Sequence, residues 1–240
     1  MSISAFTRVF NALWKSGNRF SEKDMRQINP RERQQMLPEL QTGRLVLREV
    51  RLEDGPALQA FQNRPEQWQR MAMEPEEFAN GTLRVQRYFE HRGPDSARRL
   101  FVYVAHERSF RALIGQVSFS RSHPALASLG FSVATEYWNK GYAAEMATRL
   151  IEFGFDEIGL HRVSADVAIE NEASKRVLDK IGMTYEGTAR DCIWAQGRWW
   201  TESQYAILAD DYRTNRRTAV RRCCGNHRAA GSDSSPIARW

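Results

Sequence analysis

The stretch Glu136–Glu145 reads EYWNKGYAAE, and it joins a predicted strand to the strongest helical pattern in the chain. That pattern covers residues 143–155, where apolar side chains such as Met146 and Leu150 recur at helical spacing. Gly141 allows a tight turn and leaves room for a ligand against the backbone. The unpaired N–H groups of the first helical turn favour an anion there, and a pyrophosphate would fit. A glycine at such a turn is also common as a plain turn residue, so this stretch alone does not decide the chemistry.

The rest of the chain alternates between strand and helix patterns. Predicted strands cover residues 44–50, 100–105, 113–119, 128–133, 163–167, 185–195 and 200–208, and predicted helices follow Asp54 and cover residues 75–91, 143–155 and 171–181. Asp54 is expected to cap its helix, and Gly182 to end the 171–181 helix. Gln196 and Gly197 are expected to link the last two strands. This order predicts a mixed α/β or α+β domain.

A second polar cluster begins the 171–181 helix, thirty residues after the glycine turn. Within it, Ala173, Val177, Leu178 and Ile181 are expected to face inward. By themselves, Ser174 could be a helix cap and Asn171 a turn residue. The cluster and the glycine turn together, separated by one helix and one strand, indicate more than local structure.

Together these segments resemble the GNAT acetyltransferases, and specifically the branch of ribosomal-protein N-terminal acetyltransferases. The resemblance covers residues 41–212 and is carried by TGRLVLR at 42–48, GxxSF at 115–119, EYWNKGYAAE at 136–145, GLHRV at 159–163, ENEASKRVL at 170–178, KIGM at 180–183, YEG at 185–187 and GRW at 197–199. It implies an α+β fold with a central, mostly antiparallel twisted sheet, one splayed parallel strand pair, and helices on both faces.

The resemblance also implies acetyl-CoA as co-substrate and a set of residues that bind it. These residues are Phe131, Val133, Trp138, Asn139, Lys140, Gly141, Tyr142, Ala143, Asn171 and Ser174. The backbone of 138–143 would hold the pyrophosphate, although Trp138 stands where the family carries Gln or Arg. The pantetheine arm would lie between strands that separate near Val133 and Val167, with Asn171 as a hydrogen-bond partner.

The implied reaction is direct attack of an amine on the thioester. The developing oxyanion needs a donor, for which a backbone N–H near Val133 is expected. The departing thiolate needs a proton or a hydrogen bond. Many members of the family use a tyrosine for this task, but Leu178 occupies its position, so Ser174 is the candidate general acid.

The general base is not assigned by the sequence. Some relatives have a carboxylate where this chain has Ile193, and Glu136, Glu186 and Asp191 are the nearby acidic alternatives. A strong base is less necessary for an α-amine, whose pKa is about 7.7–8.0, than for lysine at about 10.4. This difference favours an N-terminal α-amine as acceptor. A small amine such as a polyamine, an aminoglycoside-like compound or an amino acid is the alternative.

Charge and composition divide the 240 residues into three regions. Residues 1–40 are predicted to be a helical extension with an apolar stripe over 3–14, residues 41–212 the catalytic domain, and residues 213–240 a basic, disordered tail. The tail holds seven arginines and one acid, so it accounts for the whole net charge of +6. It would allow nonspecific contact with RNA phosphates, and a non-catalytic acyl-CoA- or RNA-binding protein is the remaining alternative.

Cysteine and histidine usage indicates neither disulfides nor a metal site. The three cysteines (Cys192, Cys223, Cys224) and five histidines show no metal-ligand spacing. No apolar run is long enough to span a membrane. These features predict a cytoplasmic enzyme without a metal, with an amine-bearing acceptor such as a ribosomal protein N-terminus. They leave open whether it is a monomer or a homodimer.

Overall fold

A computed structural model describes residues 36–75, 80–92, 98–109 and 112–216. Its strands are β1 Leu40–Gln41, β2 Leu45–Glu49, β3 Leu100–Glu107, β4 Leu113–His123, β5 Leu126–Val133, β6 Arg162–Ala168, β7 Thr184–Ala195 and β8 Arg198–Leu208. Its helices are α1 Gly55–Gln62, α2 Pro65–Trp68, α3 Gly81–His91, α4 Tyr142–Phe153, α5 Glu172–Lys180 and α6 at residues 209–216. Short 3-10 turns cover Leu52–Asp54 and Thr135–Tyr137, and a π-helical turn, Gly154–Ile158, extends α4.

The strands form one sheet in the order β1-β2-β3-β4-β5-β6-β8-β7. Within the described residues β5 and β6 are the parallel pair, and every other neighbouring pair is antiparallel. The α+β fold predicted from the sequence, with a mostly antiparallel sheet and one parallel pair, is therefore confirmed.

The parallel pair separates soon after it begins. β5 and β6 are aligned from Leu126 opposite Arg162 to Ser128 opposite Ser164, and no further. Ala134 N–H donates to Ile114 O on β4. Because backbone groups alternate along a strand, those of Phe131 and Val133 point to the opposite edge, toward β6. They border the gap that opens between the two strands.

Helices cover both faces of the sheet, as expected. On one face α4 buries Met146 and Leu150 completely in the main core. On the other face α1 and α3 contribute Leu58 and Val85 to a second apolar cluster. The apolar spacing that predicted α4 is the stripe that faces the sheet.

Two details of the predicted helices are wrong. Asp54 does not cap α1, because its carboxylate accepts hydrogen bonds from Arg48 (Nη1 to Oδ2 and Nη2 to Oδ1, both 2.8 Å) and from the N–H of Arg51 (2.7 Å). The helix predicted over 75–91 begins at Gly81, where Asn80 provides the cap by accepting from Leu83 N–H at 2.8 Å. The Asn80 cap, and not the apolar spacing, therefore decides where this helix begins.

The end of α5 follows the prediction. Gly182 has φ +83, its N–H donates to Asp179 O, and Met183 N–H donates to Leu178 O. This pair of bonds is the Schellman motif, which requires a left-handed residue and favours glycine. The β7–β8 hairpin also turns at Gln196 and Gly197, as predicted.

Several predictions fall outside the described residues. They include the apolar stripe over residues 3–14 and the arginine-rich segment from residue 217 onward. The described chain ends within α6, where Arg216 forms an ion pair with Asp156 at 2.7 Å. No helix in the described ranges is both long and apolar enough to cross a membrane.

Candidate active site

The gap between β5 and β6 opens into a cavity of about 570 Å³, here called the outer cavity. Nine of the ten residues predicted to bind the cofactor line it: Phe131, Val133, Trp138, Asn139, Gly141, Tyr142, Ala143, Asn171 and Ser174. The tenth, Lys140, lies in an adjoining depression with Arg44 and Lys180. The structure thus brings together residues from β5, the 138–141 loop and the starts of α4 and α5.

The 138–141 loop presents its backbone toward the outer cavity. Asn139 has φ +59 and Gly141 has φ +79, so two residues adopt the left-handed conformation. Arg44 Nη1 donates to Lys140 O at 3.0 Å. Because a trans peptide directs its C=O and N–H to opposite sides, the N–H of Gly141 points away from Arg44. A Cβ on Gly141 would be in van der Waals contact with Arg44 Nη2 at 3.7 Å and Lys180 Nζ at 3.9 Å, so the Cα of Gly141 faces two cationic groups.

Trp138 stands where the family carries Gln or Arg, and its side chain stabilises the end of β5 instead of facing the cofactor. Its Nε1 donates to Val133 O at 2.7 Å, and the guanidinium of Arg70 lies 5.7 Å from the ring centroid. The indole is therefore turned onto the end of β5. The backbone N–H of Trp138 donates to Thr135 O at 3.2 Å, so an anion would have to use the N–H groups that follow it in the loop.

At the start of α5 the two candidate polar residues have distinct roles. Asn171 is the N-cap, and its Oδ1 accepts from Ser174 N–H at 3.1 Å. The reading of Ser174 as the cap and Asn171 as a turn residue is therefore wrong. The Ser174 hydroxyl forms no hydrogen bond within the described part of the chain and lines the cleft. Ala173, expected to face the core, is exposed and lines the outer cavity, because the first turn of α5 borders the cleft.

None of the acidic alternatives for the base lies in the cleft. Glu136 pairs with Arg64 at 2.8 Å, and Glu186 pairs with Arg162. The hydrogen bonds from Arg162 lower the pKa of Glu186, so that carboxylate stays ionised and paired. Asp191 is exposed on the irregular part of β7.

A different carboxylate, Glu202 on β8, lies at the inner end of the cleft. It is 5% exposed and lines a second cavity of about 120 Å³, the inner cavity, which adjoins the outer one at Ser132, Asn171 and Ser174. Its nearest hydrogen-bonding neighbour in the described chain is the Cys192 thiol, with Sγ 4.0 Å from Oε2. Burial raises the pKa of Glu202 to about 7, and the Asp166 carboxylate adds to the rise.

Sequence reasoning missed Glu202, although one signal was present. Glu202 and Trp200 share a face of β8 in a run that is otherwise read as a core strand. A glutamate on the buried face of a strand is rare unless it is paired or functional. Its position next to the cleft depends on the register Ala168 opposite Glu202, which the sequence does not reveal.

The sequence matches the acetyltransferase (GNAT) domain family over residues 44–184, more than half of the chain. The matched segment contains the splayed strands, the 138–141 loop and the start of α5. This chain belongs to the GNAT acetyltransferases. As a member of that family it is an acyltransferase, and acetyl-CoA is the acyl donor that the family uses.

Individual GNAT relatives agree with this placement. The uncharacterized N-acetyltransferase YnaD of Bacillus subtilis is 44% identical over 84 residues, which are 35% of this chain and about half (49%) of YnaD. The uncharacterized N-acetyltransferase YoaA of Bacillus subtilis is 28% identical over 72% of this chain and 98% of its own length. A GNAT-family acetyltransferase structure from Bacillus anthracis superposes with a TM-score of 0.62 at 26% identity, covering 72% of this chain and 99% of the other.

The residues of this GNAT cleft fit acetyl-CoA. The glycine turn at Gly141, at the N-terminus of α4, suits a pyrophosphate, and Lys140, Lys180 and Arg176 supply positive charge around it. The unpaired edge of β5 at Phe131 offers backbone groups to the amides of a pantetheine arm. No cluster of metal-ligating side chains is found among the described residues.

Proposed function

We propose that this GNAT enzyme transfers the acetyl group of acetyl-CoA to the N-terminal α-amine of a protein, of the ribosomal-protein type. The observation that carries the proposal is Glu202, a buried carboxylate with a pKa of about 7 in the inner cavity. Proton transfer from an α-ammonium of pKa about 8 to this carboxylate is uphill by about one pKa unit. Transfer to Glu202 from a lysine ammonium of pKa about 10.4 is uphill by more than three pKa units.

Glu202 is the general base in this proposal. Its carboxylate accepts the proton that the ammonium must lose, and the freed nitrogen lone pair attacks the thioester carbon to form the C–N bond. The C–S bond then breaks, and a second proton passes from the nitrogen to the departing thiolate, which gives the amide and the free thiol of CoA. Acetyl-CoA supplies the activated acyl group. The N–H of Val133 or Phe131, on the unpaired edge of β5, is positioned to donate to the developing oxyanion.

Ser174 serves the leaving group. Its hydroxyl lines both cavities, which places it where the acyl donor and the acceptor meet. Since it forms no other hydrogen bond within the described residues, it is available to donate to the departing thiolate. Leu178, at the family's usual tyrosine position, is 1% exposed and has no proton to give.

The charges of the inner cavity favour an acceptor with a single positive charge. Glu202 and Asp166 line it together with two cationic side chains, Arg70 and Arg84. A polyamine carries several positive charges and would be repelled by both guanidinium groups. An α-ammonium at the end of a neutral or acidic peptide brings a single positive charge, so it meets less of that repulsion while it is attracted by the carboxylates.

Relatives exist for both kinds of acceptor. The putative ribosomal N-acetyltransferase YdaF of Bacillus subtilis is 33% identical over 36% of this chain and 47% of its own length. The spermidine N(1)-acetyltransferase of Vibrio cholerae is 25% identical over 49% of this chain and 68% of its own length. The arginines of the inner cavity support the first type, and a ribosomal acceptor would place the enzyme in the cytoplasm.

Two measurements test the proposal. Calorimetry should show acetyl-CoA binding by wild type that is lost in G141W, because the new side chain would displace the pyrophosphate from the cationic groups of Arg44 and Lys180 beside the loop. G159W is the matched control, because Gly159 has a similar φ of +76, lies outside the two cavities, and leaves open space for a side chain.

Thiol release then ranks the acceptors. Peptides with a free N-terminus should exceed both spermidine and N-terminally blocked lysine peptides at least tenfold in kcat/KM. A preference for spermidine would overturn the α-amine assignment and leave the acetyltransferase assignment intact. Absence of acetyl-CoA binding in wild type would overturn the choice of acyl donor.

A further inference from the structure

The tip of the β7–β8 hairpin departs from the usual chemistry of its turn. The two turn residues, Gln196 and Gly197, have φ +53 and +70, the left-handed pair of a two-residue hairpin. Asparagine followed by glycine is the favoured sequence for such a turn. A longer side chain in this conformation is disfavoured by about 1–2 kcal/mol. The glutamine must therefore be supported by contacts outside the turn.

Those contacts are made with the segment 68–74. Gln196 Nε2 lies 2.8 Å from Met71 O, 2.8 Å from Met73 O and 3.1 Å from Trp68 O. Its two amide hydrogens are shared among three carbonyls. The backbone N–H of Gln196 donates to Glu74 Oε1 at 2.9 Å. One residue thus binds both ends and the middle of this segment.

The same segment forms one wall of the inner cavity. Arg70, Met71, Ala72 and Met73 line it, opposite Glu202. Ala72 also packs into a small apolar cluster with Trp200 and other residues close to the turn of the hairpin. The wall therefore rests on the hairpin through the apolar contact of Ala72 and the hydrogen bonds of Gln196, and on the start of α5 through Asn171 Nδ2, which donates to Arg70 O at 3.4 Å.

We propose that Gln196 is a specificity-determining residue, which fixes the 68–74 wall and so sets the size of the acceptor group that the inner cavity admits. This inference rests on the proposed assignment of the inner cavity to the acceptor. A protein cavity of about 150 Å³ can hold a benzene molecule, so the inner cavity, at about 120 Å³, has room for a somewhat smaller group. That is enough for an amino group, its α-carbon and a small side chain.

Released from Gln196, the wall would move readily. Met71 and Met73 have flexible, unbranched side chains that adapt to different shapes. The carbonyls of Met71 and Met73 have no other hydrogen-bond donor within the described residues, so without the amide they would turn toward solvent. The cavity would then become larger and less well defined.

The test uses two variants of the same turn. Q196N keeps an amide and improves the turn sequence, but its side chain is one methylene too short to reach the three carbonyls. G197A disturbs the turn, because Gly197 has positive φ, but leaves Gln196 in place and has open space for the added methyl group. Each is assayed with tetrapeptides whose first residue increases in size from glycine through alanine and valine to phenylalanine.

For Q196N we expect a Tm no lower than that of G197A, because the better turn sequence offsets part of the lost hydrogen bonds. The acetyl-CoA Kd should rise less than the acceptor KM, since only Arg70 and Met71 of the wall also line the outer cavity. The KM for the best acceptor should rise at least tenfold, and the preference for small over large first residues should shrink at least fivefold. G197A should lower Tm and keep the preference.

An unchanged acceptor KM and ranking in Q196N would overturn the proposal. So would parallel losses of Tm, acetyl-CoA binding and activity, since these would show a purely structural role. If wild type acetylates a small amine and no peptide, the proposed function fails, and a size series of such amines provides the same comparison for Gln196.

Discussion

Arg44 donates from both Nε and Nη2 to one carboxylate oxygen of Glu145, at 2.7 and 2.6 Å. The other oxygen of Glu145 accepts from Arg44 N–H at 3.0 Å and from the Thr42 hydroxyl. Burial alone would raise the pKa of Glu145, but these hydrogen bonds outweigh it and lower the pKa. The TGR segment therefore neutralises an acid in the first turn of α4, where a free carboxylate would repel a pyrophosphate.

R44M should weaken acetyl-CoA binding about tenfold. The variant leaves the charge of Glu145 without its cation and frees Lys140 O, which Arg44 holds, and charge-assisted hydrogen bonds contribute about 1.5–3 kcal/mol each. The lower end of this energy range applies, because Arg44 is about half exposed and water screens its charge. Calorimetry with acetyl-CoA and with acetyl-pantetheine, which lacks the pyrophosphate, measures the effect.

The loss in R44M should be confined to acetyl-CoA, and R51M, which removes an exposed arginine elsewhere, should bind both compounds normally. An equal loss for acetyl-pantetheine would contradict a role at the pyrophosphate loop. If 3′-dephospho-acetyl-CoA binds both R44M and wild type equally well, Arg44 acts as a direct ligand of the 3′-phosphate instead.

E202Q should lower kcat about a hundredfold at neutral pH, the low end of the range for general bases, because an α-amine is already partly neutral. In wild type, kcat should rise with pH through about 7, since Glu202 must lose its proton to act. This rise, the acidic limb of the pH–rate profile, should be absent in E202Q. The exposed carboxylate variant E186Q should keep both the rate and the limb, and an E202Q profile that retains the limb would exclude Glu202 as the base.

The same substitution should stabilise the protein at alkaline pH. Burial raises the folded-state pKa of Glu202 to about 7, above the value of about 4.3 for an unfolded glutamate. A group with a raised pKa favours the folded state below its unfolded pKa, and this contribution is lost as pH rises through the folded pKa. At 1.36 kcal/mol per pKa unit, wild type should lose about 2.6 kcal/mol of unfolding free energy between pH 5 and pH 8 that E202Q retains. Urea denaturation of both proteins at the two pH values tests this, and equal losses would mean that Glu202 ionises normally.

S174A should lower kcat about tenfold without lowering Tm, because the hydroxyl has no hydrogen-bond partner in the described chain to lose. N171A is the structural counterpart. It removes the N-cap of α5 and should decrease stability by about 1 kcal/mol. Thiol-release kinetics and thermal denaturation separate the two effects, and an unchanged kcat in S174A would remove it from the leaving-group role.

The fold was predictable because its main elements carry their own signals. The apolar stripe of α4, the alternation in β6 and the glycine at residue 182 each specify local structure without help from distant residues. The start of α3 was not predictable in this way, since the apolar spacing runs past its N-terminus and only the hydrogen bond between Asn80 and Leu83 N–H marks where the helix begins.

The candidate site was predictable where it depends on backbone turns, and not where it depends on register. Gly141 marks its loop in the sequence itself. Glu202 reaches the cleft because β8 inserts between β6 and β7, an arrangement set by long-range pairing. Asn171, and not Ser174, caps α5 because the helix begins three residues earlier than a Ser174 cap would require.

The early separation of β5 from β6 leaves a weakly paired line across the sheet. Three aligned residue pairs join its two parts there, whereas β6 and β8 share seven. Opening the sheet along this line breaks fewer hydrogen bonds than opening it between β6 and β8. A ligand lying in the gap would contact both parts of the sheet and hold them together. Acetyl-CoA should therefore make the whole domain more rigid, in addition to supplying the acetyl group.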